Sequence, residues 1–168
     1  MRKLTVMAFI GLSSVAFSVS AQDHNHQHQS VDYMAQFAAA TPSSIITVEQ
    51  CWLRLLPSHL PSAGYFVIHN QGDEAVELLA AATPSYNDVM LHETFQENGM
   101  AKMQMVGKLP IPAQASLNFI PGGLHAMFEQ PTGSLQVGDT MKMELLFDQG
   151  QKVEVDCKVN PAKARRFE

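Results

Sequence analysis

Beyond Ile45 the chain never sustains a helical hydrophobic period. Short runs of branched and aromatic residues alternate instead with Gly, Pro, Asn and Asp. The strand-like runs are Ile45–Leu55, Gly64–Asn70, Ala75–Ala81, Asp88–Thr94, Ala101–Val106, Ala115–Ile120, Thr140–Phe147 and Lys152–Val159. Between them stand Asn70-Gln71-Gly72-Asp73, Asn98-Gly99, Pro121-Gly122-Gly123, Val137-Gly138-Asp139 and Gln149-Gly150, each with the chemistry of a tight turn. Strands this short have one apolar face to bury and little else to bury it against than another sheet. The pattern predicts an all-β domain over residues 45–160, either an antiparallel β-sandwich or a Greek-key barrel.

The ends read differently. Arg2 and Lys3 precede an apolar stretch from Leu4 to Phe17, and Val19-Ser20-Ala21 has the small residues of a cleavage site. Residues 1–21 are thus expected to be a secretory signal peptide cut after Ala21, too short in its apolar part to span a bilayer stably. No cysteine follows that site, so a soluble mature protein is expected, exported to the periplasm. Residues 22–44 read as a flexible polar tail with an Ala-rich stretch ended by Thr41-Pro42-Ser43-Ser44, and residues 161–168 as a C-terminal tail. Losing residues 1–21 removes Arg2 and Lys3 and no acid, which moves the formal charge from -5 to -7. A chain this acidic, without a basic cluster, is a poor partner for nucleic acid or for an anionic membrane surface.

Two cysteines, Cys51 and Cys157, fall in the first and last of the predicted strands. In an oxidising compartment such a pair is expected to form a disulfide, and no CxxC spacing favours a reactive dithiol.

The residues that point to chemistry are histidines and methionines. Met90, Met100, Met103, Met105 and Met127 share one window with His92 and His125. Thioether is a soft, uncharged donor and imidazole an intermediate one. A mixed set therefore suits Cu(I) far better than Ca, Mg or Mn, and avoids a thiolate that an oxidising compartment would consume. His125 and Met127 share a face if extended, as do Met103 and Met105. Met141 and Met143 read as core, and His59 and His69 as surface or hydrogen-bonded residues. A separate run, His24, His26 and His28, is a secondary metal candidate for Cu(II) or Zn(II) through imidazole.

His92, ten residues, Met103, twenty-one residues, then His125-X-Met127 resembles the signature of the PCuAC family of periplasmic copper chaperones. The flanking text resembles it too, in LHETFQENGMAKMQMV, LPIPAQASLNFIPGGLHAMF and the segment from ITVEQCWLRLLP to VELLAA, so that the likeness runs from about Ile45 to Val159. The resemblance implies a cupredoxin-like β-sandwich and copper ligands at His92, Met103, His125 and Met127. It also implies delivery of Cu(I) to a client copper protein, such as an oxidase copper domain or another copper carrier. Members often carry a methionine close after the first histidine. Here Glu93-Thr94-Phe95 follows His92, with Met90 two residues before it, so Met90, Met100 and Met105 stand as accessory candidates.

The reading expects a carrier, not an enzyme. Blue-copper electron transfer needs a cysteine among the histidines, and Cys51 and Cys157 lie far from them in sequence. The competing reading is a copper buffer or resistance protein that stores the metal.

Overall fold

The computed structural model describes residues 33–167. The expected leader and the candidate ligands His24, His26 and His28 lie outside the described residues. The described chain opens with a helix, α1 (Tyr33–Ala39), and then runs through eleven strands. These are β1 (Thr41–Pro42), β2 (Ile46–Arg54), β3 (Ser62–Asn70), β4 (Val76–Ala82), β5 (Tyr86–Glu97) and β6 (Met100–Met105), followed by β7 (Leu109–Ile111), β8 (Ser116–Phe119), β9 (Leu124–Pro131), β10 (Thr140–Phe147) and β11 (Gln151–Asn160).

Hydrogen bonding links them in the order β6-β5-β9-β3-β2-β11-β10-β4-β7, with β1 added to β11 and β8 to β3. Most neighbours are antiparallel; β2 and β1 run parallel to β11. The sheet folds over a main apolar core that includes Leu53, Phe66, Ile68, Leu78, Phe128 and Leu145. The fold is the cupredoxin-like β-sandwich expected from the sequence. Met141 and Met143 are buried in that core, as their alternation in β10 predicts.

Cys51 and Cys157 are joined in a disulfide, which ties β2 to β11 across 106 residues of chain. A bulge in β2 turns Cys51 inward so that this buried bond can form. Register against β3 slips between Glu49 and Trp52, where Gln50 takes a positive φ of 53°. The extra residue shifts the alternation, so that Ile46 and Cys51, an odd number of positions apart, both reach the core. Trp52 is turned to the other face, where it packs with Ala63, Tyr65 and Ala164 of the C-terminal segment.

Two expectations change. The lead-in is not a uniformly flexible tail: from Tyr33 it forms α1, whose Phe37 is buried with Ala40 against Leu146 of β10, and Ser43 then bonds Gln151 at 2.6 Å. Phe37, with Tyr33 one turn before it packed alongside, docks the helix. The second change is β9, which was not among the predicted strands although its residues alternate cleanly. Leu124, Ala126 and Phe128 pack in or against the core, while His125 and Met127 point to the opposite face.

Candidate metal centre

The candidate donors lie on three neighbouring strands, β6, β5 and β9, and a two-residue turn sets their alignment. Asn98 and Gly99 both have positive φ, 53° and 78°, the type I′ geometry that an Asn-Gly pair adopts most readily. That turn places Glu97 opposite Met100 and carries the ladder back so that Thr94 faces Met103 and His92 faces Met105. On its other side β5 pairs with β9, where His92 faces His125 and Met90 faces Met127. Partners across a ladder share a face. Met90, His92, Met103, Met105, His125 and Met127 therefore all stand on the side of the sheet away from the core.

On the other face of the same hairpin runs a polar ladder. Gln104 donates to Glu93 at 3.2 Å, and Lys102 pairs with Glu97. These bonds steady an edge strand all of whose residues are exposed.

The two imidazoles differ from ordinary surface histidines. His92 is only 7% exposed and His125 9%. Their ring centroids are 5.9 Å apart, edge to face. His125 Nδ1 donates to the carbonyl oxygen of Gly123 at 3.0 Å. A carbonyl can only accept, so Nδ1 carries the proton and Nε2 keeps its lone pair for another partner. The turn that supplies this carbonyl is held by bonds from Gly123 N to Ile120 O and from Thr94 N to Gly123 O, and needs Gly122 at φ 85°.

His92 has no such support. Both of its ring nitrogens are buried without a hydrogen-bond partner. An unsatisfied buried polar group costs about 1–3 kcal/mol, so a sheet that buries one has a use for a partner there. Burial lowers the His92 pKa from its ordinary value. The charge of His125 lowers it further, against a smaller opposing pull from Glu129. The ring is thus held neutral, the form in which imidazole binds a metal.

The thioethers surround this pair. Met127 and Met90 are half-buried one rung to one side, while Met105 (64% exposed) is alongside and Met103 (54%) one rung to the other side. Met100 lies exposed at the hairpin tip. No group of three or more His, Cys, Asp or Glu suited to a metal occurs among the described residues. What gathers is two imidazoles and several thioethers, a set matched to a soft monovalent ion. His69 lies elsewhere, bonded to Ser116 at 2.7 Å and 3.7 Å from Glu49, and His59 is exposed. The supporting carbonyl of Gly123 was not foreseen. Its only trace in the sequence is the glycine-rich turn two residues before His125.

Residues 46–159 match the profile of a family described as "Putative lipoprotein LpqE-like". The chain belongs to the LpqE-like family. A curated relative in Leifsonia xyli subsp. xyli, described as "Putative lipoprotein Lxx21020", is 27% identical over 106 residues, or 62% of this chain. This LpqE-like chain spans 63% of that relative's length. Among solved structures, the PCuAC domain of PmoF2 in its apo form aligns with a TM-score of 0.61 at 20% identity, over 76% of this chain and 98% of that one. The Cu(I) form of DR1885 from Deinococcus radiodurans aligns with a TM-score of 0.57 at 29% identity, over 76% of this chain and 84% of that one. The relation to PCuAC proteins expected from the sequence is thereby met in family and in fold.

Proposed function

We propose that this protein is an exported copper carrier. It holds Cu(I) on the β6-β5-β9 face through His92, Met103, His125 and Met127 and passes it, in the periplasm, to a client such as an oxidase copper domain. The observation that carries this reading is His92, which faces His125 across the ladder, 5.9 Å from its ring, and whose two ring nitrogens are buried without partners. Buried imidazoles set among thioethers bind a soft cation without exposing a thiolate.

The arrangement also suits release. Met103 is on an exposed edge strand and Met127 is half-buried, so an incoming client can replace the outermost donor before the imidazoles let go. Two findings on relatives support copper as the cargo: DR1885 is described in a Cu(I) form and a PCuAC domain of PmoF2 in a copper-bound form. Export is supported by the leader-like residues 1–21 and by the lipoprotein descriptions of the family and of the Leifsonia relative. No helix among the described residues is long and apolar enough to cross a membrane.

The test is transfer. Cu(I)-loaded protein is mixed with an apo oxidase copper domain, the two are separated, and copper in each is measured. Movement of the metal to the acceptor is expected. Full retention by the donor, with binding intact, would reject delivery in favour of storage.

A further inference from the structure

We propose that a border of positive charge beside the donor face docks a client protein through carboxylates that surround the client's own copper site. This rests on the carrier reading above and supplies the surface on which client and donors meet.

The chain is acidic overall, with a formal charge of -5, yet the fold gathers positive charge next to the donors. One rung crosses four strands. Arg54 of β2 faces Ala63 of β3, Ala63 faces Met127 of β9, and Met127 faces Met90 of β5. Partners across a ladder share a face, so Arg54 stands on the donor side of the sheet. It is two strand spacings from Met127, about 10 Å at ~4.8 Å each. Its guanidinium carbon is 5.2 Å from the centre of the Tyr65 ring.

The C-terminal segment adds to this charge. After β11 the chain turns, with Ala164 N donating to Pro161 O at 2.9 Å, and Ala164 is buried with Trp52, Ala63 and Tyr65. It thereby belongs to the same cluster as the residue beside Met127. Lys163, Arg165 and Arg166 around it are exposed. Elsewhere Lys102, Lys108, Lys142 and Lys152 each pair with a carboxylate. Among the described residues no such pair involves Arg54, Lys163, Arg165 or Arg166. Asp88 and Glu129 face each other one rung beyond Met90 and Met127. The donor face is therefore polarised, which orients a charged partner as well as attracting it.

This placement favours a protein over a membrane. A bilayer lying on Arg165 and Arg166 would cover the donors that a client must reach, and the net negative charge of the chain opposes an anionic bilayer. A client with carboxylates around its copper site is drawn to the border, and its site arrives beside the donors.

The test times Cu(I) transfer by stopped flow from loaded protein to an apo oxidase copper domain that carries carboxylates round its metal site. In Lys163→Gln/Arg165→Gln/Arg166→Gln the rate at low ionic strength should fall by about tenfold, the low end of electrostatic steering. Cu(I) affinity in a chelator competition should stay at the wild-type value. Salt should erase the difference in rate, because the Debye length shrinks from about 30 Å at 0.01 M to about 8 Å at 0.15 M. Arg165→Lys/Arg166→Lys keeps the charge and should keep the rate.

Equal rates for wild type and the glutamine variant at low ionic strength would overturn the docking surface and leave the carrier reading intact. If, with rates equal, only the wild type bound vesicles of phosphatidylglycerol and phosphatidylcholine, the border would serve a membrane instead. A slowing that salt does not remove, or that the lysine variant shares, would make the segment's role structural and overturn the proposal too. Wild type that binds Cu(I) and transfers none would reject the carrier reading, and the docking surface with it.

Discussion

His92 and His125 face each other directly across the β5–β9 ladder, with ring centroids 5.9 Å apart, yet only His125 has a hydrogen bond to fix it. One imidazole is thus oriented in advance by the Gly123 carbonyl. The other is packed without a polar partner, a state that a bound cation would relieve.

That asymmetry predicts a pH response. The folded His92 pKa is lowered, with burial the largest cause, so the unfolded chain binds this proton first. The contribution of neutral His92 to stability is therefore fully present above the ordinary imidazole value and is lost as pH falls through the lowered one. In a histidine-resolved NMR titration of the apoprotein, His92 should titrate below an unstructured histidine. Titration at or above that reference would contradict the burial argument.

The disulfide should matter for stability and hardly at all for metal. Cys51 and Cys157 are in the core, on the opposite side of the sheet from the donors, and close a loop of 106 residues. Replacing both with alanine should destabilise the fold by up to about 4–5 kcal/mol in the chain-entropy picture. Urea unfolding measures the loss, and a Cu(I) titration below the unfolding transition should show near-native affinity. A variant that stays folded and loses Cu(I) would place the cysteines nearer the chemistry than the structure does.

Gly99 offers a test that touches no donor. A Cβ there would meet nothing within 4 Å, so Gly99→Ala strains only the backbone, at φ 78°. The expected cost is about 1 kcal/mol or somewhat more. Because this turn sets which methionine faces His92, a several-fold loss of Cu(I) affinity should accompany it. Unchanged stability and unchanged affinity together would show that the turn does not govern the site.

The histidine run is expected to act independently. Deleting residues 22–30, which removes His24, His26 and His28, should reduce Cu(II) uptake in a calorimetric titration and leave Cu(I) affinity unchanged. Loss of Cu(I) binding on truncation would make the run part of the main site.

Much of this molecule was legible in its sequence. Alternation and turn residues give the sandwich, because a strand's period of two and the special φ of Asn-Gly or Gly-Gly are local properties. Thr140–Phe147 is recovered to the residue, and the cysteine pair is matched by the disulfide. The docking of Phe37 was not legible, since it depends on Leu146 and its neighbours Leu79 and Ala80, which only the folded sheet brings together. Nor was the alignment of the donors. Spacing can place His92 and Met103 on one face, but which methionine faces His92 depends on a turn of two residues and not more. The unpartnered ring of His92 is further still from the sequence, because burial is decided by all three strands at once.

The most direct test is a Cu(I) competition titration of the mature protein against a chromogenic chelator, run beside the His92/Met103/His125/Met127 quadruple alanine variant. The account predicts tight one-to-one binding by the protein and its loss in the folded variant. Equal binding by the two would place the copper elsewhere and contradict the account at its centre.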